Sequence, residues 1–301
     1  MENIESIKRI DIHAHVTAFP EYAPPFKWGG RFCSAEEVIK FYDELNIEKG
    51  VLLPLTSAEG QLTPMTSEAI KYTADRYPDR FLWFCNVDPR AMLNRADNDF
   101  SEILNFYKEM GAKGIGEITA QIPADDPLLD NLYSYAEELD MPVLIHIAPR
   151  LGYGYGIIDE LGLPRLEKML KKHPKLKILG HSQPFWSEIS ADNTNEIRNT
   201  FPQGKVIEGR VSELLREYPN LYCDLSAGSG ANAMMRDPEF CYKFFEEFSD
   251  RILYGCDICG LTNTHQYEFD AFLKDMMDKK AVSLDTYRKI VRDNAVKLLN
   301  L

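Results

Sequence analysis

Five short segments of the chain carry residues that could bind a metal ion or transfer a proton. Each follows or ends an apolar run that predicts a β-strand: His13-Ala14-His15, Glu117, His146, His181 and Asp257. Side chains two residues apart on a strand point to the same side, so His13 and His15 can hold one ion together. Imidazoles and carboxylates that leave a coordination position open are typical of catalytic zinc sites.

Eight predicted strands alternate with amphipathic helical segments along the chain. They cover residues 9–12, 50–55, 81–87, 112–118, 142–147, 177–180, 221–225 and 252–256. Their starts lie roughly 30–45 residues apart, the length of a strand-plus-helix unit. Only a fold that gathers strand ends at one face brings the distant polar residues together. We therefore expect an α/β fold, a (β/α)₈ TIM barrel, with residues 1–301 forming a single domain.

The start of the first long helix is marked by the local sequence. Ser34 is followed three residues later by Glu37, the spacing of a capping box. Asp126-Pro127 and Asp237-Pro238 place a capping residue before a proline at the first helical position of two later helices. These signals support helices between the predicted strands.

Composition and charge restrict the class of function. Of the 301 residues, 45% are hydrophobic and 27% charged, which is ordinary for a globular protein. The net charge of −13 argues against a general nucleic-acid binder, since phosphate affinity comes from clustered Lys and Arg. The chain shows neither a signal-peptide pattern nor an apolar stretch of ~20 residues. We expect a cytoplasmic protein with a small-molecule substrate and no membrane or nucleic-acid partner; homo-oligomerisation is left open.

Six cysteines are present, and two of them, Cys256 and Cys259, form a C-x-x-C pair around Asp257. A structural zinc site would need a second pair, which the chain lacks. We interpret the cysteines as reduced, inert thiols.

Two long connections follow predicted strand ends, the side on which barrel enzymes place their sites. The first, 16–33, is rich in aromatic residues and includes Trp28; the second, 183–210, includes Trp186. The first is expected to form a wall of the binding pocket. The second could do the same or form a subunit contact.

Several of these motifs resemble one known superfamily. Residues 9–15 (RIDIHAH) look like the first-strand H-x-H signature of the amidohydrolase superfamily, and His146 and His181 end segments similar to its fifth and sixth strands. Tyr254-Gly255-Cys256-Asp257 is similar to the eighth-strand Gly-x-Asp, whose aspartate serves as ligand and proton shuttle. Residues 294–299 look like the closing helix of the amidohydrolase-related branch, which includes the aminocarboxymuconate-semialdehyde decarboxylase-like proteins.

The resemblance implies a divalent metal, most simply Zn²⁺, as one or two ions. A first ion would be held by His13, His15, His146 and Asp257, and a second by Glu117, His146 and His181. Glu117 stands where many binuclear members carry a carboxylated lysine and looks like the glutamate variant of the TatD-like nucleases. Asp257 would transfer the proton of the attacking water, and with one ion His181 would act as general acid–base or oxyanion partner.

Three functions are consistent with this pattern. The leading one is hydrolysis of a C–O or C–N bond in a small, anionic carboxylate substrate, such as a lactone or amide. A nonoxidative decarboxylase of the same branch is the second hypothesis, and a non-catalytic barrel scaffold is the alternative from another class. A nuclease is disfavoured by the acidic charge balance.

Substrate contacts and the remaining polar residues are assigned more loosely. Arg150, Trp28 and Trp186 are the candidates for substrate binding, with Arg150 suited to a carboxylate. Asp224, which ends the seventh predicted strand, is expected to order a loop or orient a ligand. His173 and His265 are interpreted as surface residues.

Overall fold

Strands and helices alternate in the order that the sequence predicts. The computed structural model describes residues 4–27, 29–59 and 65–301. The strands are β1 Arg9–Ala14, β2 Ile47–Leu52, β3 Phe81–Trp83, β4 Ile115–Ile118, β5 Val143–Ala148, β6 Ile157–Ile158, β7 Ile178–His181, β8 Leu221–Asp224 and β9 Ile252–Leu253. Every predicted strand overlaps one of these. The short β6, which pairs with the end of β5, was not predicted.

Helices separate the strands and pack around them. They are α1 Ala35–Glu44, α2 Ser67–Arg76, α3 Ser101–Glu109, α4 Pro127–Glu138, α5 Pro164–Lys172, α6 Gln183–Ser187, α7 Arg210–Glu217, α8 Ala227–Met235, α9 Pro238–Glu247, α10 His265–Asp278, α11 Leu284–Arg288 and α12 Asn294–Leu299. Short 3₁₀ turns lie at Ile4–Ser6 and Pro20–Tyr22, and a π-helical turn at Lys289–Asp293 joins α11 to α12. Within the described ranges, no helix has the length and apolarity needed to cross a membrane.

Eight parallel strands close into a ring. Two parallel sheets, β1-β2-β3 and β4-β5-β7-β8-β9, form most of it. Cys85 joins them on one side, since its N–H donates to Gly114 and its carbonyl accepts from Gly116 (3.0 and 2.9 Å). On the other side the Ile12 N–H donates to the Tyr254 carbonyl at 3.0 Å. The predicted (β/α)₈ barrel is therefore confirmed.

The core has two layers. Side chains inside the barrel form a small cluster that includes Ile10, Ile12, Val51, Leu144 and Leu179. A much larger cluster fills the space between the strands and the surrounding helices. The apolar strand runs thus reflect burial on both faces, as expected for parallel strands.

Strand β1 contains an irregularity that sets the direction of its histidines. Its pairing with β2 shifts register between Asp11 and Ala14. Ile10 and Ile12 point into the barrel, whereas Asp11 points outward to the Tyr42 hydroxyl of α1, which donates to it at 2.7 Å. In a regular strand His13 would share the outward face of Asp11. The bulge turns it toward the barrel mouth, as bulges beside functional sites commonly do.

The predicted capping box at α1 is confirmed, and it allows a stability test. The Ser34 hydroxyl accepts from the Glu37 N–H at 3.3 Å, and the Glu37 carboxylate accepts from the Ser34 N–H at 2.7 Å. Ser34→Ala is expected to lower the free energy of unfolding by about 1 kcal/mol, whereas Ser34→Thr should retain most of it. Urea denaturation of both variants measures this. Equal midpoints for Ser34→Ala and wild type would contradict it.

Candidate metal centre

His13 and His15 are fixed by hydrogen bonds on the ring nitrogens that face away from the site. His13 Nδ1 lies 2.7 Å from Asp224 Oδ2, and His15 Nδ1 lies 3.0 Å from the Leu53 carbonyl. Because a carboxylate and a carbonyl only accept, both Nδ1 atoms carry the hydrogen. The Nε2 lone pairs of both rings then point toward each other, 3.0 Å apart.

This convergence fits a divalent metal ion. While both rings are neutral, neither Nε2 can donate to the other, so the close approach calls for a positive charge between them, either a proton on one ring or a metal ion. Two imidazole nitrogens bound at ~2.0–2.1 Å to one ion stand about 2.9–3.4 Å apart for bond angles near 90–109°. The observed 3.0 Å lies in that range. His13 is 0% and His15 3% exposed, so bulk solvent reaches little of either ring.

Glu117 lies between two pairs of histidines. Its Oε2 is 3.4 Å from His15 Nε2 and 3.9 Å from His13 Nε2, while its Oε1 is 2.7 Å from His146 Nδ1 and 3.9 Å from His181 Nε2. The structure thus groups Glu117, in place of His146, with His13 and His15. The predicted second grouping of Glu117, His146 and His181 is found. A carboxylate in this position could serve one ion or bridge two.

Asp257 lies beside the group of His13, His15 and Glu117, is grouped with His13 and His181, and faces the open side. Its Oδ1 is 3.5 Å from His13 Nε2 and 3.6 Å from His15 Nε2, and its Oδ2 is 4.0 Å from His181 Nε2. Its side chain is 23% exposed, unlike the buried histidines. Its backbone has φ +51° and donates to the His13 carbonyl at 2.8 Å. Asp257 is therefore the most accessible side chain of the cluster.

Glycine in the Gly-x-Asp motif has a packing reason. A Cβ atom at Gly255 would lie 2.5 Å from Asp224 Oδ1 and 2.8 Å from Ser226 Cβ. Any larger residue would displace Asp224, which supports His13. The motif therefore provides both the aspartate and the space for the carboxylate behind it.

Asp224 orients two histidines, as the sequence predicted in general terms. Its Oδ2 is 2.7 Å from His13 Nδ1 and 3.3 Å from His181 Nδ1, and the Ser226 hydroxyl donates to it at 2.8 Å. Ser226 also lies 2.9 Å from His181 Nδ1. These contacts direct both Nε2 atoms toward the site.

The electrostatics of the buried groups favour a cation. Burial lowers the pKa of His13, but the Asp257, Asp224 and Glu117 carboxylates raise it to about 10. Although burial alone would raise them, the pKa values of Glu117 and Asp224 lie below their usual range because of the neighbouring histidines. A site that attracts a proton this strongly also attracts a divalent ion.

Removing the charge of Asp224 tests its supporting role. Asp224→Asn is expected to weaken zinc binding about 10–100-fold, because outer carboxylates raise the basicity of ligating histidines. Competition with a chromophoric chelator measures the affinity. Asp159→Asn is the matched control. Asp159 is as buried as Asp224, but its carboxylate caps α5, where it accepts from the Leu166 N–H at 2.8 Å. Unchanged affinity in Asp224→Asn would refute the supporting role.

A cavity of about 590 Å³ opens in front of this centre, within the usual range for small-molecule sites. His15, Glu117 and Asp257 form its polar floor. Its walls come mainly from the side chains of Phe26, Phe32, Leu55 and Tyr155. Lys27 and Glu59 form a charged rim. The first long connection thus contributes to the pocket wall, as predicted. It is held by the Cys33 N–H donating to the Cys259 carbonyl at 2.8 Å.

The three predicted substrate contacts have different outcomes. Trp28 lies outside the described residues. Trp186 does not line the cavity: it is 2% exposed and its Nε1 donates to the Asp224 carbonyl at 2.9 Å, so it supports β8 from behind. Arg150 is exposed and lies 5.3 Å over the Tyr153 ring, outside the described lining; its role in binding stays a prediction.

The second long connection packs on itself and on the segment that precedes α5. Ser190 pairs with Glu208, and the buried Arg198 donates to the Asp159 carbonyl at 3.0 Å. None of its residues belongs to the described lining of the cavity. Its assignment as a pocket wall is therefore wrong for this cavity, and a subunit contact stays a prediction.

Two histidines outside the site, His173 and His265, were predicted to lie at the surface, but the structure covers both. His173 is 3% exposed, with Nε2 2.9 Å from Asp130 Oδ1, and packs against Tyr133. His265 begins α10 and is half-buried, with Nε2 2.7 Å from the Cys256 carbonyl. A turn position in the sequence does not reveal how neighbouring helices cover it.

Sequence reasoning missed Asn86. Its side-chain amide donates to the Glu117 carbonyl at 2.6 Å and to the Pro54 carbonyl at 3.2 Å, joining the ends of three strands. A polar residue within the otherwise apolar third predicted strand, 81–87, was the available signal. The cysteines are free thiols, in agreement with the prediction. Burial raises the pKa of the Cys33 thiol to about 12, which keeps it protonated.

Comparisons with known proteins agree with this architecture. A crystal structure of a probable 2-pyrone-4,6-dicarboxylic acid hydrolase from Acinetobacter baumannii, with citric acid bound, has a TM-score of 0.59 at 17% identity, covering 98% of this chain and 100% of that one. The structure of 5-carboxyvanillate decarboxylase from Sphingomonas paucimobilis has a TM-score of 0.59 at 15% identity, covering 98% of this chain and 100% of that one. The structure of an amidohydrolase from Burkholderia multivorans with bound zinc has a TM-score of 0.64 at 12% identity, covering 98% of this chain and 99% of that one.

At these identities the similarity shows the shared fold. No curated protein matches the chain. Residues 10–301, nearly the whole sequence, match the amidohydrolase family profile. The chain therefore belongs to the amidohydrolase family, in its amidohydrolase-2 branch.

Proposed function

We propose that this protein is a metal-dependent hydrolase that cleaves a C–O or C–N bond of a small carboxylate substrate, such as a lactone or an amide. The observation that carries the proposal is the convergence of the His13 and His15 Nε2 atoms, 3.0 Å apart, beside the partly exposed Asp257. Zinc suits this set of imidazole and carboxylate ligands. His13, His15, Glu117 and Asp257 would hold the ion, with His146 and His181 on the far side of Glu117.

The metal ion, Asp257 and the cavity walls would each have a different role in hydrolysis. A bound divalent ion would supply Lewis-acid chemistry, lowering the pKa of water toward 7 and polarising a carbonyl group. Asp257 lies at the junction of the histidines and the cavity, so its carboxylate is placed to accept the proton of an attacking water and return it to the leaving oxygen or nitrogen. The apolar walls keep bulk water from the reacting groups.

His181 has a supporting role in either stoichiometry. Its Nδ1 contacts Asp224 and Ser226, so its Nε2 faces Glu117 and Asp257. With two ions it would serve as a ligand beside Glu117. With one ion it is placed to exchange a proton with the reacting groups.

Decarboxylation by the same residues is the second candidate. Its support is that the fold of this chain is shared by 5-carboxyvanillate decarboxylase as well as by a probable hydrolase. In that reaction the carboxylate of the substrate leaves as CO₂ and Asp257 or His181 delivers a proton to the carbon.

Metal content and product analysis test the proposal together. Zinc-reconstituted protein should contain one or two ions per chain and hydrolyse members of a lactone and amide panel, with ¹⁸O from labelled water in the product. Removal of the metal by a chelator should abolish turnover, and zinc should restore it. Release of CO₂ without ¹⁸O incorporation would replace hydrolysis by decarboxylation. A metal content near zero after reconstitution would favour a scaffold.

A further inference from the structure

The walls of the cavity are mainly aromatic. Phe26 and Phe32 of the first connection meet edge to face, with ring centroids 4.8 Å apart and an interplanar angle of 75°. Tyr155, after β5, lies with its ring 4.5 Å from that of His146. All three line the same cavity. Such walls gain most from a flat apolar group that covers their faces and edges.

Positive charge is scarce around the cavity. Lys27 is the single cationic side chain in its described lining, and it is exposed at the rim. The nearby Arg90 is committed to other groups, since it donates to both Glu59 oxygens and to both Asp88 oxygens. Arg90 is therefore not free to clamp a substrate carboxylate.

The floor also disfavours several negative charges. Glu117, Asp224 and Asp257 bring three carboxylates together. With the single divalent ion of the proposed function, these three carboxylates outweigh its two positive charges and leave about −1 on the centre, to which Asp224 contributes from behind His13. A compact polyanion would meet this negative floor with one lysine to offset it.

Taking the proposed function as given, we propose that the site selects a substrate built on a flat apolar ring that carries at most one negative charge. An aromatic lactone or an aryl amide with a single carboxylate is of this class. Phe26, Phe32 and Tyr155 would contact the ring, and Lys27 would pair with the one carboxylate. Compact dicarboxylates and tricarboxylates are rejected.

Equilibrium binding of simple probes to the zinc-reconstituted protein tests the class without relying on turnover. Acetophenone, benzoate, isophthalate and succinate vary the ring and the number of charges separately. Benzoate and acetophenone should bind at least about tenfold more tightly than isophthalate and succinate, measured by calorimetry and ligand-observed NMR. Equal or tighter binding of succinate or isophthalate would overturn the proposal, as would failure of both aromatic probes to bind at millimolar concentration.

Two variants of one loop locate the binding. Phe32→Ala should weaken the binding of benzoate about tenfold and leave the affinity for zinc unchanged. Phe32 lines the cavity, but its side chain has no atom that could bind a metal ion. Phe19→Ala is the matched control: Phe19 belongs to the same connection, is 55% exposed, and lies outside the cavity lining. Equal effects of the two variants would overturn the aromatic contact.

The outcomes keep this inference separate from the proposed function. Tight binding of benzoate with the predicted variant effects, but no turnover of any panel member, would leave the ring selectivity standing and remove the hydrolase. Efficient hydrolysis of an aliphatic dicarboxylate lactone, faster than that of an aryl lactone, would leave the hydrolase standing and overturn the ring selectivity.

Discussion

Asp257→Asn is expected to lower kcat/KM about 10³-fold or more while the protein keeps its fold. The amide retains the size and a ligating oxygen of the carboxylate but cannot accept a proton near neutral pH. General acid–base catalysis is typically worth 10²–10⁴-fold, and Asp257 also contributes one of the charges that face His13 and His15. Asn tolerates the left-handed backbone, φ +51°, that Asp257 adopts. Steady-state kinetics on the zinc-reconstituted variant, with its metal content measured alongside, provide the test.

The matched control lies at another surface of the barrel. Asp140 has nearly the same backbone conformation, φ +48°, and its exposed carboxylate pairs with Lys177. Asp140→Asn makes the same chemical change and should leave kcat/KM within about twofold, since exposed ion pairs contribute little. Full turnover in metal-loaded Asp257→Asn would remove the proton-transfer role. A parallel loss in Asp140→Asn would point to a general effect of the change.

The placement of the site could be predicted because strand ends leave a clear signal. Each candidate ligand follows an apolar run, and parallel strands in a barrel must end at a common face. His13, Glu117, His146, His181 and Asp257 do meet there. The exposed or buried state of each ligand, however, depends on atoms contributed by other strands, and no local pattern records them.

The details that escaped prediction have specific physical causes. The bulge between Asp11 and Ala14 turns His13 to the mouth, yet the alternation of side chains along a regular strand gives no sign of it. The pairing of Glu117 with His15 depends on the approach of β4 to β1 across the barrel. The sequence predicts Trp186 to contact substrate, but a tryptophan after a strand end fits a core position as well as a pocket wall. Only tertiary packing distinguishes these positions.

His13→Ala should reduce the metal content to below about 0.1 ion per chain under conditions that load the wild type, and should abolish turnover. The variant removes one of two converging Nε2 atoms and also leaves the buried Asp224 carboxylate without its 2.7 Å partner. Loss of an inner ligand costs more than the 10–100-fold expected for loss of an outer partner. Elemental analysis after dialysis, together with circular dichroism to check the fold, measures both effects.

A second histidine variant separates metal binding from the loss of any buried imidazole. His173 is as buried as His15 but pairs with Asp130 away from the site, so His173→Gln should keep full metal content even if it lowers stability. His13→Gln, which fills the space with a weaker ligand, covers the case in which alanine disturbs folding. Because the interior of the barrel is packed beneath the strand ends by residues such as Ile10 and Ile12, the fold should survive either change at residue 13. A folded His13 variant that binds zinc as tightly as wild type would exclude His13 as a ligand and, with it, the proposed centre.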